Sequence, residues 1–337
     1  MVNPVYARYP AHDRSYFAVI KKEIHSLAET HGFSKIKVAH IDIIIAEITS
    51  NLLKYASGSA EILVSMASQK TNEYIEIISI DNGPGMIDMP KMFMDGVSTA
   101  NTMGHGLGSI KRLSDHFSVY SLKKWGTILL CRLYKQENFK EYSLTQVRTL
   151  TIAKTGETVS GDGSSYKLNE RYLKIMEMDG LGHGPEANEA VNEAIKAFQR
   201  CIFDTPVEII TYLHEAIKKT RGGVGAVAVY DFQLKRWLIA GVGNISIKMI
   251  NAVEIKNMMS YNGTIGHNIP DQMQNQEVKS ENFKQIVLCS DGIKPRWDLN
   301  KYPGIHRYDP SIIAAAIYKD HAGHTDDMSV VIAKINI

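Results

Sequence analysis

Residues 135–146, KQENFKEYSLTQ, are polar and follow neither a helical nor an alternating period, and a full set of apolar-patterned segments lies on each side of them. A chain punctuated in this way builds two cores rather than one. Its 337 residues are enough for both, since a domain usually takes about 100–200. The expected division is residues 1–136, a linker at 137–146, and residues 147–337. No internal repeat relates the halves, so two different domains are expected.

In the first half, Phe17, Ile20, Ile24 and Leu27 fall at helical spacing within 11–31. A second helix is expected over 34–56, with Ile41, Ile44, Ile45, Ile48, Leu52 and Tyr55 on one stripe and Glu47, Asn51 and Lys54 gathered beside it. Alternating runs at 60–67 and 73–80, a helix from near 107, and strands at 117–122 and 126–133 complete an α/β sandwich. The second half has strand-like runs at 148–153, 172–178, 225–230, 237–241, 285–289 and 329–334, with helical patterns at 186–200, 206–219 and 310–319. Many strands with paired helices predict a second sandwich on antiparallel sheets, so the chain is α+β overall. The stretch 261–281 reads as an inserted surface loop, and WLIAGVGNISI as core strand, with Asn244 either a contact of the site or, the favoured reading, part of that core.

Lys+Arg 38 against Asp+Glu 36 gives a net charge of +2, which lacks the concentrated basic footprint of a nucleic-acid binder. No run approaches the roughly 18 apolar residues of a membrane span, and the first residues lack the apolar core of a signal peptide. A cytoplasmic protein is expected. Cys131, Cys201 and Cys289 lie far apart and read as buried free thiols.

Two glycine clusters in the first half carry chemistry without a Walker motif: Asp81-Asn82-Gly83-Pro84-Gly85-Met86 after a strand, and Gly104-His105-Gly106-Leu107-Gly108 before a helix. An acid at a strand end can accept from an adenine amino group, while glycines let backbone approach the base. Glycines at a helix N-terminus leave N–H groups open to phosphate oxygens. An Asn four residues after a Glu places an amide oxygen for Mg²⁺ and a carboxylate able to take a proton from a hydroxyl. Glu47 and Asn51 have that spacing.

The order Glu47-xxx-Asn51, DNGPGM, GHGLG resembles the nucleotide boxes of the GHKL (Bergerat) ATPase and kinase fold. NLLKYASGSAEI and GLGSIKRLSDHFSV are most similar to its RsbT/RsbW-type serine kinases of bacterial partner-switching systems, over about residues 10–134. The resemblance implies Glu47 as general base, Asn51 as Mg²⁺ ligand, and Asp81, Gly83, Gly85 and Thr127 around the adenine of ATP or ADP. It implies Gly104, Gly106, Leu107 and Gly108 along the phosphates, and a lid over 89–103. Lys54 and His105 stay without a role.

In the second half, glycines accompany aspartates: Asp162-Gly163, Asp179-Gly180 in DGLGHG, Asp291-Gly292, and Asp326-Asp327 before MSVVIAK. Most end apolar runs, where a sheet can project them into one cleft. Converging carboxylates repel unless cations neutralise them. All-oxygen ligation suits Mg²⁺ or Mn²⁺ and not zinc. Two such ions would lower the pKa of a bound water from 15.7 to about 7 for attack on a phosphate ester.

This pattern resembles the PPM family of metal-dependent serine/threonine phosphatases, in the SpoIIE/RsbU/RsbX branch, over about residues 147–337. It implies an α/β/β/α sandwich and two Mn²⁺ or Mg²⁺ ions. Asp179 would bridge them, with the Gly180 carbonyl on one metal and Asp291 and Asp326 on the other. Asp162 would be an outer or water-mediated ligand, Asp327 a turn cap, and His183 either a group near the leaving oxygen or a loop member.

Together the resemblances imply a bifunctional regulator: a serine/threonine kinase and an opposing phosphatase acting on a STAS-domain partner. A sigma factor or switch protein is a further partner, no nucleic acid or membrane is expected, and a homodimer stays open. The alternative reading makes the first domain a nucleotide-dependent binding module without kinase activity.

Overall fold

The computed structural model describes residues 4–11, 14–56, 58–69, 72–86, 106–136, 144–251 and 253–336. They form two compact units: one of Tyr6–Glu141 with Arg307–Ala315, the other of Met1–Val5, Tyr142–His306 and Ala316–Ile337.

The first unit is one antiparallel sheet under helices. Strands β1 (Ala7–Pro10), β2 (Ala60–Gln69), β3 (Asn72–Asp81), β4 (His116–Leu122) and β5 (Gly126–Tyr134) lie in the order β1-β2-β3-β5-β4. Helix α1 (Arg14–Thr30) ends before Gly32, whose φ of +72° turns the chain. Helix α2 (Lys35–Tyr55) starts where the Ser34 hydroxyl accepts from Lys37 N–H. Its stripe of Ile41, Ile44, Ile45, Ile48 and Leu52 packs with Ile20 and Ile24 against Ile62, Val64, Ile75, Ile77 and Cys131 of the sheet. Helix α3 (Gly106–Leu113) adds Ile110 to the same core. Strand β1, ARYP, was not expected; its four residues pair with Glu61–Val64, and Arg8 bonds Glu61 at 2.6 Å.

Strand β3 is buried along most of its length, on both faces, rather than alternating with solvent. Its second face carries Glu76, paired across the ladder with Arg132. Arg132, fully buried, also reaches both oxygens of Asp309 at 2.7 Å, and the Tyr6 hydroxyl donates to Glu76. Segment 307–315 is thus held by a buried charge network. Asp309→Ala is expected to lower unfolding stability by about 2–3 kcal/mol, because Arg132 loses a bidentate partner while Glu76 still neutralises it. Chemical denaturation measures this; an unchanged midpoint would contradict it.

The second unit stacks two antiparallel sheets. One has the order β13-β10-β9-β8-β7, from β7 (Asp162–Leu168), β8 (Tyr172–Gly180), β9 (Gly223–Asp231), β10 (Arg236–Val242) and β13 (Gln276–Lys279). The other is β12-β11-β14-β15-β6, from β6 (Thr145–Ile152), β11 (Ser246–Ile250), β12 (Ile255–Met258), β14 (Gln285–Cys289) and β15 (Met328–Ile335). On β9, Ala226, Ala228 and Tyr230 face the core between the sheets with Trp237, Ile247, Leu288 and Val331. The alternate residues Val227 and Val229 face helices α4 (Pro185–Arg200) and α5 (Pro206–Ala216) with Met176, Phe198, Ile209 and Leu213. That is the period-two pattern of a strand buried on both faces. A last helix, α6 (Pro310–His321), runs up to the turn before β15.

The expectation that 261–281 is only a surface loop is corrected. Ile265 is buried and exchanges both backbone hydrogen bonds with Gly223, at 2.8 and 3.0 Å, while 276–279 adds strand β13 beside β10. Its apolar residues Ile265, Ile269, Met273 and Val278 are few and separated by polar residues, and the four-residue spacing of the first three would suggest a helix rather than the turn and strand that form, so the sequence conceals them. Cys131, Cys201 and Cys289 are buried and free, as expected.

Candidate functional sites

The first site lies where α2, the β3 exit and the start of α3 meet. Glu47 and Asn51 are one turn apart on α2, both half-buried, at the edge of its apolar stripe. A Cβ on Gly106 would lie 2.8 Å from Glu47 Oε2 and 3.6 Å from the Asn51 amide. Both side chains therefore touch the first residue of α3, where open N–H groups and the helix dipole favour an anion. Gly108 is buried within α3, and Leu107 packs against the core. Gly104, His105 and the expected lid at 89–103 lie outside the described residues. Lys54 is exposed.

At the other end of the site, Asp81 Oδ1 accepts from Gly83 N–H at 2.6 Å. Thr127 is the cross-strand partner of Asp81, and its hydroxyl lies 3.0 Å from that of Ser121. The DNGPG turn is wedged: a Cβ on Gly83 would sit 2.5 Å from the Tyr55 carbonyl, and one on Gly85 would overlap the Leu122 carbonyl. Gly85 also has φ +75°. Gly85→Ala therefore combines a left-handed backbone cost of about 1–2 kcal/mol with a clash, and is expected to weaken nucleotide binding by roughly tenfold or more. Titration with a fluorescent ATP analogue checks it; wild-type affinity would contradict it.

The second site is at one end of the stacked sheets. Asp179 closes β8, and Asp162 opens β7 directly opposite it. Gly180 N–H donates to the Gly161 carbonyl at 2.9 Å, and Gly180 faces Gly223 across the ladder. From the other sheet, Asp291 follows β14 and Asp326 precedes β15. Burial, then Asp291, Asp326 and Asp327 in turn, push the Asp179 carboxyl up to about 8, against one hydrogen bond from the Asp291 backbone. Asp162, 1% exposed, is driven well above the carboxylate range by burial and then by Asp179.

Asp327 does not cap its own turn but ties down a distant segment, accepting from Lys154 N–H at 2.8 Å and Gly161 N–H at 2.9 Å. Asn244 does not act as mere core: its amide donates to Asp291 Oδ2 at 2.9 Å. It sits in the turn between β10 and β11, which points at the site, and the flanking Gly243 and Asn pattern was the available signal. His183 pairs with Glu157 at 2.7 Å and is exposed. Glu157, and Glu177 buried two residues before Asp179, were missed; a lone Glu inside the apolar run KIMEMDG marks the latter.

Among the described residues no three His, Cys, Asp or Glu side chains already close into a cation cage. The donor chemistry nonetheless fits divalent cations. The acids that approach one another are all oxygen donors, and their mutual repulsion at Asp179 is what a bound cation would relieve.

Residues 10–133 match the model of the histidine kinase-like ATPase domain. Over 102 residues the chain is 35% identical to the serine/threonine-protein kinase RsbT of Bacillus subtilis, covering 30% of this chain and 76% of that protein. The chain belongs to the histidine kinase-like ATPase family. It is a fusion, because a PPM-type phosphatase fold follows the ATPase domain. Over 101 residues, 30% of this chain, it is 30% identical to the phosphoserine phosphatase RsbX of the same organism, spanning half of that protein's length. A solved chain from the bacterial stressosome, described as a modular system adapted to control secondary messenger signaling, superposes with TM-score 0.52 at 27% identity, over 56% of this chain and 99% of its own. RsbX in complex with magnesium superposes with TM-score 0.50 at 19% identity, over 58% and 98%. Among the described residues no helix is long and apolar enough to cross a membrane.

Proposed function

We propose that the chain carries two opposed activities, an ATP-dependent serine/threonine kinase in residues 1–136 and a phosphoprotein phosphatase in residues 147–337, both acting on a STAS-domain partner. The reading rests above all on one observation: each unit keeps the acid its chemistry needs where phosphoryl transfer needs it. Glu47 stands against the start of α3, and Asp179 stands among Asp291, Asp326 and Asp327.

In the kinase half, Asp81 accepts from the adenine amino group while Gly83, Gly85 and Thr127 line the base. The N–H groups of Gly104, Gly106, Leu107 and Gly108 receive phosphate oxygens, and Asn51 holds the Mg²⁺ of ATP. Glu47 takes the proton of the partner's hydroxyl as that oxygen attacks the γ-phosphorus and the bond to the β–γ bridging oxygen breaks, so that ADP leaves and the partner carries the phosphate. A domain that only bound nucleotide would have no need of a base at this point.

In the phosphatase half, Asp179, the Gly180 carbonyl, Asp291 and Asp326 would hold two Mg²⁺ or Mn²⁺ ions, with Asp162 behind them. When bound, these ions offset the acids' repulsion and supply an activated water for hydrolysis of a phosphoserine or phosphothreonine. Asn244 orients Asp291, and Glu157 orients His183 at the rim. Tethering both halves raises the effective concentration of each at a shared partner.

Hydrolysis of a phosphoserine peptide by the full chain is expected to vanish in EDTA and to return with Mn²⁺. Activity that survives EDTA would contradict the reading.

A further inference from the structure

Beneath the acids of the second unit runs a line of buried hydrogen bonds that the proposed hydrolysis does not use. The Ser290 hydroxyl donates to Asp162 Oδ2 at 2.6 Å and accepts from the backbone N–H of Ser329 at 2.9 Å. The Ser329 hydroxyl in turn donates to Glu177 Oε1. All four residues are at most 1% exposed. The second oxygen of Glu177 has no hydrogen-bond partner among the described residues.

Each member stands beside one of the acids. Glu177 is two residues before Asp179, on the same face of β8. Ser290 immediately precedes Asp291, Ser329 follows Asp326 and Asp327 at the start of β15, and Asp162 lies opposite Asp179. Glu177 and Asp162 belong to the helix-covered sheet, whereas Ser290 and Ser329 belong to the other. Both hydroxyls therefore donate across the gap between the sheets.

Most of the rest of that gap is filled by apolar side chains, with one further polar crossing where the Thr149 and Ser164 hydroxyls lie 2.8 Å apart. Apolar packing is non-directional and does not by itself fix the offset of one sheet against the other. Burying a carboxylate with an unpaired oxygen is unfavourable, and an apolar residue of similar size would suit stability better. Stability alone thus gives no reason for Glu177, while the geometry of a site shared between two sheets does.

We infer that Glu177, acting through Ser329 and Ser290, is a positioning residue that fixes the two sheets at the spacing where Asp179 meets Asp291 and Asp326, and so sets the affinity for divalent cations. This rests on the phosphatase reading above.

The test uses the full chain without nucleotide and follows three readouts: thermal midpoint, Mn²⁺ affinity from the paramagnetic resonance of free Mn²⁺, and the Mn²⁺ concentration giving half-maximal hydrolysis. Ser329→Ala leaves Glu177 wholly unpaired and is expected to lower both stability and affinity, while Ser329→Thr, which keeps the hydroxyl, holds both near wild type. The double variant Glu177→Met/Ser329→Ala removes both partners. It is expected to melt at or above wild type yet bind Mn²⁺ roughly tenfold more weakly, the usual scale for losing an outer-shell partner. Ser290→Ala gives an independent reading, with the same loss of affinity and near-normal kcat at saturating Mn²⁺. Wild-type affinity in the double variant or in Ser290→Ala would overturn the positioning role. A wild-type chain that bound no Mn²⁺ would overturn the metal reading itself, and the positioning role with it.

Discussion

Asp179→Asn is expected to reduce phosphatase activity on the order of 10³-fold or more while leaving ATP affinity unchanged. Asp179 is the acid on which the others converge: burial and then Asp291, Asp326 and Asp327 raise it to about 8. An asparagine keeps the shape and one oxygen but could not supply the negative charge that the proposed cations would need from this position. The lost charge stabilisation is several kcal/mol, and each 1.4 kcal/mol is about a factor of ten. Because Asp179 belongs to the second unit and the nucleotide site to the first, nucleotide titration of the same variant separates a local defect from misfolding. Residual hydrolysis within tenfold of wild type would contradict the assignment.

Glu47→Gln is expected to lower phosphoryl transfer to the partner by about 10²–10⁴-fold, the range for losing a positioned general base. The amide is isosteric, so the contact with Gly106 and the neighbouring Asn51 stays in place, and ATP affinity should change by less than about threefold. Single-turnover transfer with saturating ATP measures the chemistry apart from binding. A variant that transfers at the wild-type rate would remove Glu47 from the reaction and favour the reading of the first unit as a nucleotide-dependent binding module.

Much of this was legible in the sequence because it rests on local pattern. The isoleucine stripe of α2 and the apolar runs of β8, β9, β14 and β15 are burial signals, and the structure has helix and strands there. Glu47, Asn51 and Gly106 meet, and so do Asp81, Thr127 and Gly83, because a helix face, a ladder and a tight turn are short-range devices that glycine and residue spacing record. What escaped is long-range. Asp309 reads as an ordinary acid before a helix, yet it caps a buried arginine from far earlier in the chain. Ile265 sits in a polar insertion and reveals its burial only through pairing with Gly223. Asn244 reads in the sequence as part of a core segment with a site contact only as the alternative, and its bond to Asp291 follows from the meeting of two loops that no spacing rule connects. Glu177 was visible as a charge in an apolar run, but its partner Ser329 lies on another sheet.

The central claim, one chain that both adds and removes the same phosphate, is tested most directly by a labelling time course. The full chain, Glu47→Gln and Asp179→Asn are each incubated with γ-labelled ATP, Mg²⁺, Mn²⁺ and a STAS-domain substrate. The account predicts label on a serine or threonine that rises and then falls with wild type, never forms with Glu47→Gln, and accumulates and persists with Asp179→Asn. If Asp179→Asn never labels the substrate while wild type strips a pre-phosphorylated one, the chain is a phosphatase with a nucleotide-binding module, and the claim of opposed activities is wrong.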